Sequence, residues 1–394
     1  MSETEDSTMV PDAEVDYDPD YLAMVPALQV PSAIGIGFLI LITSFGNIIT
    51  IIAFVRDTRL HTVYDFYIFN LAFADLLIGC ISMPFYAVYT LKEFQWDFGK
   101  EFCKAWLAID FTMCFESVLL ILIISLDRLL LFVFGPHYTS TVTFKRAIAQ
   151  VAFSWLVSFL LYGPAIIGWD HWVGYSTVEY MDCTVEFAYN FEYTTITAIL
   201  EFVLPVTGLV IINFLIYRKI SGRFARQRSN RVKPTTDKGN VVKRSNCEKQ
   251  EPQSSGDQLD KANRNVAFEN GEQIVSTSSS TGANTSTQSS KSIREIKQIK
   301  QENKAARFLA ILVLVFLATW APYTITTIVL SFCGDDCVNT SAYESMNWIL
   351  WGKSAINPFL YAMNSQRYRY NFKKYICCWK KQAQPQDNTC QTIA

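Results

Sequence analysis

Five ionisable residues stand inside long apolar stretches of this 394-residue chain: Asp75, Asp110, Glu116, Glu201 and Lys353. A charge at membrane depth is costly, so each is a candidate for function before any other residue. Four acids against one base suit neither a pump nor an anion carrier; a cavity rich in carboxylates suits a cation. Asp110 lies seven residues beyond Cys103, which opens its apolar stretch. That places it about two helical turns inside one face, at ~1.5 Å per residue. Glu201 falls in the outer half of its own stretch, so both acids are expected to be reachable from the same side. Aromatic residues gather at similar depth: Tyr86, Trp106, Phe111, Trp320, Tyr323, Trp348 and Trp351. Aromatic faces attract a cation as a carboxylate does, although such rings are also common at membrane interfaces and helix contacts. The three histidines (His61, His137, His171) are far apart in sequence, so no His-rich metal site and no cofactor are expected.

The elements that must position these groups are membrane helices, each needing about 20 mostly apolar residues. Seven stretches qualify: Ala33–Val55, Phe66–Leu91, Ala105–Ser125, Ala147–Trp169, Tyr193–Tyr217, Phe308–Phe332 and Ser345–Met363. The expected fold is an all-α membrane protein, a seven-transmembrane helix bundle followed by a short amphipathic eighth helix. Composition agrees: half the residues are hydrophobic and 18% are charged, below the roughly 25% of ordinary soluble chains. A net charge of −2 argues against nucleic acid as a partner, which calls for a clustered basic surface.

The small net charge hides a separation. With seven spans, the N-terminus shares a side with loops 92–104, 170–192 and 333–344, which hold only Lys92, Lys100 and Lys104. The opposite side holds thirty of the thirty-four basic residues. Even with the long loop discounted, the short segments favour an external N-terminus and a cytoplasmic C-terminus at the plasma membrane. Residues 1–32 carry eight acids, no base and four prolines, and read as an acidic, disordered external arm. No cleavable signal is evident, so the first span is expected to target the chain. Residues 33–217 hold helices one to five. Residues 218–304 read as a largely disordered cytoplasmic loop whose basic ends continue the flanking helices. Residues 305–363 hold helices six and seven, and 364–394 an amphipathic helix and tail.

On the oxidising side, a Cys103–Cys183 bridge would tie the loop before span five over the bundle mouth. Cys333 and Cys337 are close enough to close a small ring, and Asn339-Thr340-Ser341 is a glycosylation sequon. After span seven, Tyr368, Phe372, Tyr375 and Ile376 form one helical face among Arg367, Arg369, Lys373 and Lys374. This is an interfacial helix, with Cys377 and Cys378 as palmitoylation candidates on the bilayer.

The spans carry Gly46-Asn47, Leu71-Ala72-Phe73-Ala74-Asp75, Asp127-Arg128-Leu129, Trp155, Pro205, Trp320-Ala321-Pro322 and Asn357-Pro358-Phe359-Leu360-Tyr361. In this order and at these depths the set resembles the rhodopsin-like (class A) family of G-protein-coupled receptors. A finer match lies in Cys183-Thr-Val-Glu-Phe-Ala-Tyr-Asn190, Glu201 four residues before Pro205, Trp320-Ala-Pro-Tyr-Thr324 and Trp348-Ile-Leu-Trp351. These resemble the type-three and type-four histamine receptors of the biogenic amine group, with muscarinic acetylcholine receptors as near relatives.

The resemblance implies a receptor, not an enzyme. Asp110 would hold an amine's ammonium, with histamine favoured because Glu201 can engage its imidazole; acetylcholine offers Glu201 no donor. Cys114 and Phe187 join the expected binding set. Trp320 would be a packing switch beneath the ligand, with Pro205, Val118 and Phe316 as the core that rearranges. Arg128 would pair with Asp127 and reach Glu302 at rest, and Asn357, Pro358 and Tyr361 would complete the switch. Asn47 would join a polar core in which Asp75, Ser117, Ser354 and Asn357 would otherwise form a sodium pocket; the ammonium of Lys353 is expected to replace sodium and pair with Asp75. Implied partners are a heterotrimeric G protein, inhibitory by resemblance, and receptor kinases and arrestin.

Leu129, Thr319 and Asn213 depart from the usual family residues. Lys353 raises a photopigment as a rival, but the opsin-like lysine sits six residues before the asparagine, where this chain has Trp351. A transporter would show inverted repeats or interrupted short spans, and the chain shows no such internal symmetry. Glu116 has no assigned role and is either protonated or paired with a neighbouring helix.

Overall fold

A computed structural model describes residues 19–232, 283–333 and 337–382. Its main helices are α1 (Pro19–Arg56), α2 (Val63–Leu91), α3 (Lys100–Phe134) and α4 (Phe144–Val173). Next comes α5, built from Phe191–Ala198, a π-turn Ile199–Val203 and Leu204–Val232. They are followed by α6 (Ala283–Cys333), α7 (Thr340–Asn364) and α8 (Gln366–Gln382). No strand occurs among the described residues. The chain divides into two compact units, 222–300 and the remainder, and the bundle belongs to the remainder.

Six helices, α1 to α6, are long and apolar enough to cross a membrane. α7 has 25 residues, enough for a ~30 Å core at ~1.5 Å per residue. It is more polar because its inward face carries Asn347, Lys353, Ser354 and Asn357, all buried. Polar side chains are tolerated at membrane depth where they face the bundle interior.

Local chemistry sets the ends. Thr62 caps α2 by accepting the Asp65 N–H, Thr143 caps α4 through the Arg146 N–H, and Asn190 caps α5 through the Tyr193 N–H. Gly174 ends α4 at φ 86°, a left-handed position that glycine adopts without strain. Two helices are interrupted by π-turns, at Ile78–Ser82 and Ile199–Val203. Each precedes a proline, Pro84 and Pro205. A proline ring collides with the carbonyl four residues back, here that of Cys80 or Glu201, and the wider turn relieves the collision.

The helices outrun the apolar stretches. α1 starts at Pro19 rather than at residue 33, at a first-turn position where the missing proline N–H costs nothing. α5 continues to Val232 and α6 begins at Ala283, because the basic residues and glutamines there are good helix formers without being apolar. Residues 1–18 and the middle of the long loop lie outside the described residues.

Candidate ligand-binding site and conformational core

Asp110 projects from α3 into the bundle and is buried. Its Oδ1 accepts from the Trp351 indole Nε1 at 3.2 Å and from the Cys114 thiol at 3.8 Å. Cys114 is one helical turn on, and Trp351 comes across from α7. Trp351 meets Tyr86 of α2 edge-on at 5.0 Å, and Tyr86 lies parallel to Trp106 of α3 at 6.0 Å. The Tyr86 hydroxyl donates to Glu344 at 2.7 Å and accepts from Asn347 Nδ2 at 2.8 Å. Three helices thus fix an aromatic wall beside one carboxylate, an arrangement that suits an ammonium group.

Glu201 stands in the π-turn of α5 and receives a hydrogen bond from the Tyr162 hydroxyl of α4. Tyr162 packs against Phe111 at 5.0 Å. Both acids line one cavity of about 800 Å³, within the size range of small-molecule sites. Cys114, Phe111, Tyr86, Trp106, Trp320, Tyr323 and Trp351 share its wall, and among the described residues no lysine or arginine does.

Two expected members do not line the cavity. The Phe187 ring turns aside, 5.6 Å from Trp169 and 4.6 Å from Tyr193. Trp348 stands behind the wall, edge-on to Tyr86 at 5.8 Å and to Trp351 at 5.3 Å. Asn347, Glu344, Tyr343 and Asp182 line it unexpectedly. Helical spacing from Trp351 would have found Asn347, one turn before it. For Asp182, which accepts from the Tyr89 hydroxyl, no local signal exists.

The mouth is held by the Cys103–Cys183 disulfide, and Cys333 and Cys337 are bridged as well. Lys104 binds both oxygens of Asp170 at 2.8 Å, and Lys100 reaches Asp170 at 3.2 Å and Glu186 at 3.3 Å. Burial pushes the Glu186 carboxyl up, but the Ser176 hydroxyl, the Thr177 N–H and Lys100 outweigh it and hold the group below its usual value. Asn339 is exposed, and its side-chain oxygen accepts the Ala342 N–H at the start of α7.

Beneath the cavity Trp320 is fully buried, with the Phe316 ring 5.6 Å away and Phe202 a further 6.1 Å beyond. Val118 and Pro205 are buried too. The expected Asp75–Lys353 ion pair is not made. Asp75 instead accepts from the Ser354 hydroxyl and the Asn357 amide, each at 2.7 Å. The Lys353 ammonium, 4.2 Å from the Trp320 ring centre, donates to the Ser117 hydroxyl and to the Cys114 carbonyl at 3.3 Å. Neutral donors on α7 reach Asp75 first, and the lysine stem carries its charge up towards Trp320.

Pro358 lacks an N–H, which frees the Ser354 carbonyl in the turn before it. Asn47 of α1 donates to that carbonyl at 3.1 Å and to Thr43 O at 2.9 Å. The helices can approach because residue 46 is glycine: a Cβ there would lie 2.9 Å from the Pro358 ring.

At the other end of α3, Arg128 pairs with Asp127 at 2.5 Å and lies over the Tyr64 ring at 3.8 Å. Tyr138, in a short helix Pro136–Thr141, donates to the second Asp127 oxygen at 2.9 Å. The buried Tyr361 ring is 6.1 Å from Tyr368 of α8. The Glu302 side chain, and those of Cys377 and Cys378, lie outside the described residues.

Helices of this number and length, around one acid-lined cavity with an Arg128–Asp127 pair at the far end, make a helical membrane bundle. The chain belongs to the rhodopsin family of 7 transmembrane receptors, whose family model matches residues 46–361, and it is a multi-pass membrane protein. It is 31% identical to the histamine H4 receptor of Mus musculus over 388 residues, covering 92% of this chain and 96% of that one. It is 30% identical to the histamine H4 receptor of Homo sapiens, covering 87% and 91%. It is 29% identical to the muscarinic acetylcholine receptor M1 of Homo sapiens, covering 88% of each.

Proposed function

We propose that this receptor binds an extracellular biogenic amine, histamine before others, and responds by activating a heterotrimeric G protein of the inhibitory type. The observation that carries this reading is the presence of two carboxylates, Asp110 and Glu201, in one cavity of about 800 Å³ whose wall, among the described residues, holds no lysine or arginine. Asp110, flanked by Trp351 and Tyr86, takes the ammonium. Glu201 has one oxygen engaged by Tyr162, which leaves the other for the imidazole N–H.

The ligand presses on Trp320, and the Phe316, Val118 and Pro205 packing below it shifts. That biases the equilibrium of the Arg128 end, which the G protein, receptor kinases and arrestin meet in the cytoplasm. The N-terminus, the glycosylation site Asn339 and the two disulfides face outward at the plasma membrane, and palmitoylated Cys377 and Cys378 anchor α8.

A muscarinic-like reading rests on the near-equal identity to the acetylcholine receptor and on the aromatic wall, which accepts a quaternary ammonium. Cells expressing the chain, challenged with histamine, acetylcholine, catecholamines and serotonin and read for both cAMP and calcium, decide between them. Histamine is expected to lower cAMP, and Asp110→Asn to abolish that response. An unchanged histamine response in Asp110→Asn would falsify the anchor.

A further inference from the structure

Glu116 lies on α3 away from the cavity wall, fully buried. Its partners are two hydroxyls on one face of α4: Ser154 Oγ is 2.7 Å from Oε1 and Ser158 Oγ is 2.9 Å from Oε2. No lysine, arginine or histidine pairs with it among the described residues. The Ser154 oxygen is also 2.9 Å from the Val151 carbonyl oxygen.

A hydroxyl has one proton and cannot donate to a carbonyl and a carboxylate together. With an ionised Glu116, the two contacts at Ser154 compete for that proton, and a bare charge at membrane depth is left with hydroxyls alone. With a proton on Glu116 Oε1, each contact has its own donor: Glu116 donates to Ser154, Ser154 to the Val151 carbonyl, and Ser158 to Oε2.

We propose that Glu116 is a proton-binding site, a neutral carboxylic acid that clasps α3 to α4 by donating and accepting at once. α3 carries Asp110 six residues before Glu116 and Arg128 twelve residues after it. The clasp therefore grips the helix that joins the cavity to the far end, and adds no charge beside Asp75, Lys353 and Asp110. It stands on geometry and does not depend on which amine binds.

The test is an infrared difference spectrum of the full-length, ligand-free receptor at neutral pH, wild type minus Glu116→Gln. A protonated-carboxyl stretch is expected to disappear in the variant, and to shift in Ser154→Ala, which removes its acceptor. Loss of carboxylate bands in place of the acid band, or an acid band that Ser154→Ala leaves unmoved, overturns the proposal. Thermal melting gives a second arm. Glu116→Gln can donate to Ser154 and accept from Ser158, so it is expected to melt with the wild type, while Glu116→Leu melts lower. A Glu116→Gln receptor that melts as low as Glu116→Leu overturns the clasp.

Discussion

Asn47 owes its place to what Pro358 lacks. The proline leaves the Ser354 carbonyl without its helical donor, and Asn47 supplies one from α1 at 3.1 Å. In Asn47→Ala that carbonyl stays buried and unpaired, at a cost of about 1–3 kcal/mol. The expected result is a lower melting temperature of the purified receptor. Asn47→Asp should not rescue it, since a carboxylate offers no donor to a carbonyl. At this scale the sequence was informative about chemistry and silent about partners. Asp110, Glu201 and their aromatic neighbours were legible because polar groups inside apolar stretches stand out. That Asp75 meets Ser354 and Asn357 instead of Lys353 was not legible, because helical spacing says which residues share a face and not which donor arrives first. Tyr162 was missed for the same reason: a tyrosine in an apolar helix carries no mark that its hydroxyl meets Glu201 from another helix.

α5 is the element on which the second carboxylate depends. Pro205 imposes the π-turn that contains Glu201, so Pro205→Ala allows a regular α-helix there. Removing the extra residue from the turn rotates the preceding segment by roughly 100° about the axis, and Glu201 swings away from the cavity. Histamine affinity is expected to fall by about tenfold or more, roughly 1.4 kcal/mol, in competition binding, with the receptor still folded. At the other end of the bundle, α8 docks through Asn371, whose amide donates to Asp57 at 2.9 Å, and through Arg367, which donates to the Arg59 carbonyl at 2.5 Å. The Asn371 hydrogen bond holds the Asp57 carboxyl below its ordinary value of 3.8, burial opposing and Arg59 and Arg367 assisting. A lowered folded value means the contact contributes fully above the unfolded value and is lost as pH falls through the folded one. Hydrogen exchange of the α8 amides should therefore show no pH-dependent loosening across neutral and mildly acid conditions, and should quicken in Asn371→Ala. The eighth helix was legible from its one-sided pattern; its docking residue was not, because Asn371 lies among basic residues that look like a solvated face.

The whole sequence separates its charges along its length, with eight acids and no base in residues 1–32 and, for seven spans, thirty basic residues expected on the opposite side. The orientation this implies is checked by tagging both ends: antibody to an N-terminal tag should label intact cells, and antibody to a C-terminal tag only permeabilised ones. The inverse pattern would overturn the external N-terminus. Six of the membrane helices, and their order, were legible from apolar length. Their true ends were not, since α5 and α6 run on through polar residues, and α7 falls short of the apolarity shown by the other six.

The two π-turns have a consequence for how such a bundle can change over time. Each amounts to a single residue inserted into a helix, so the segment on one side is indexed one position out of step with the segment on the other. In α5 the part that carries Glu201 and faces the cavity is thereby uncoupled in phase from the part that packs deeper against Phe316. Substitutions that retune the choice of ligand can accumulate in the outer segment without re-addressing the side chains of the inner one. A sequence alignment that assumes one unbroken helical period will misassign faces on one side of the turn.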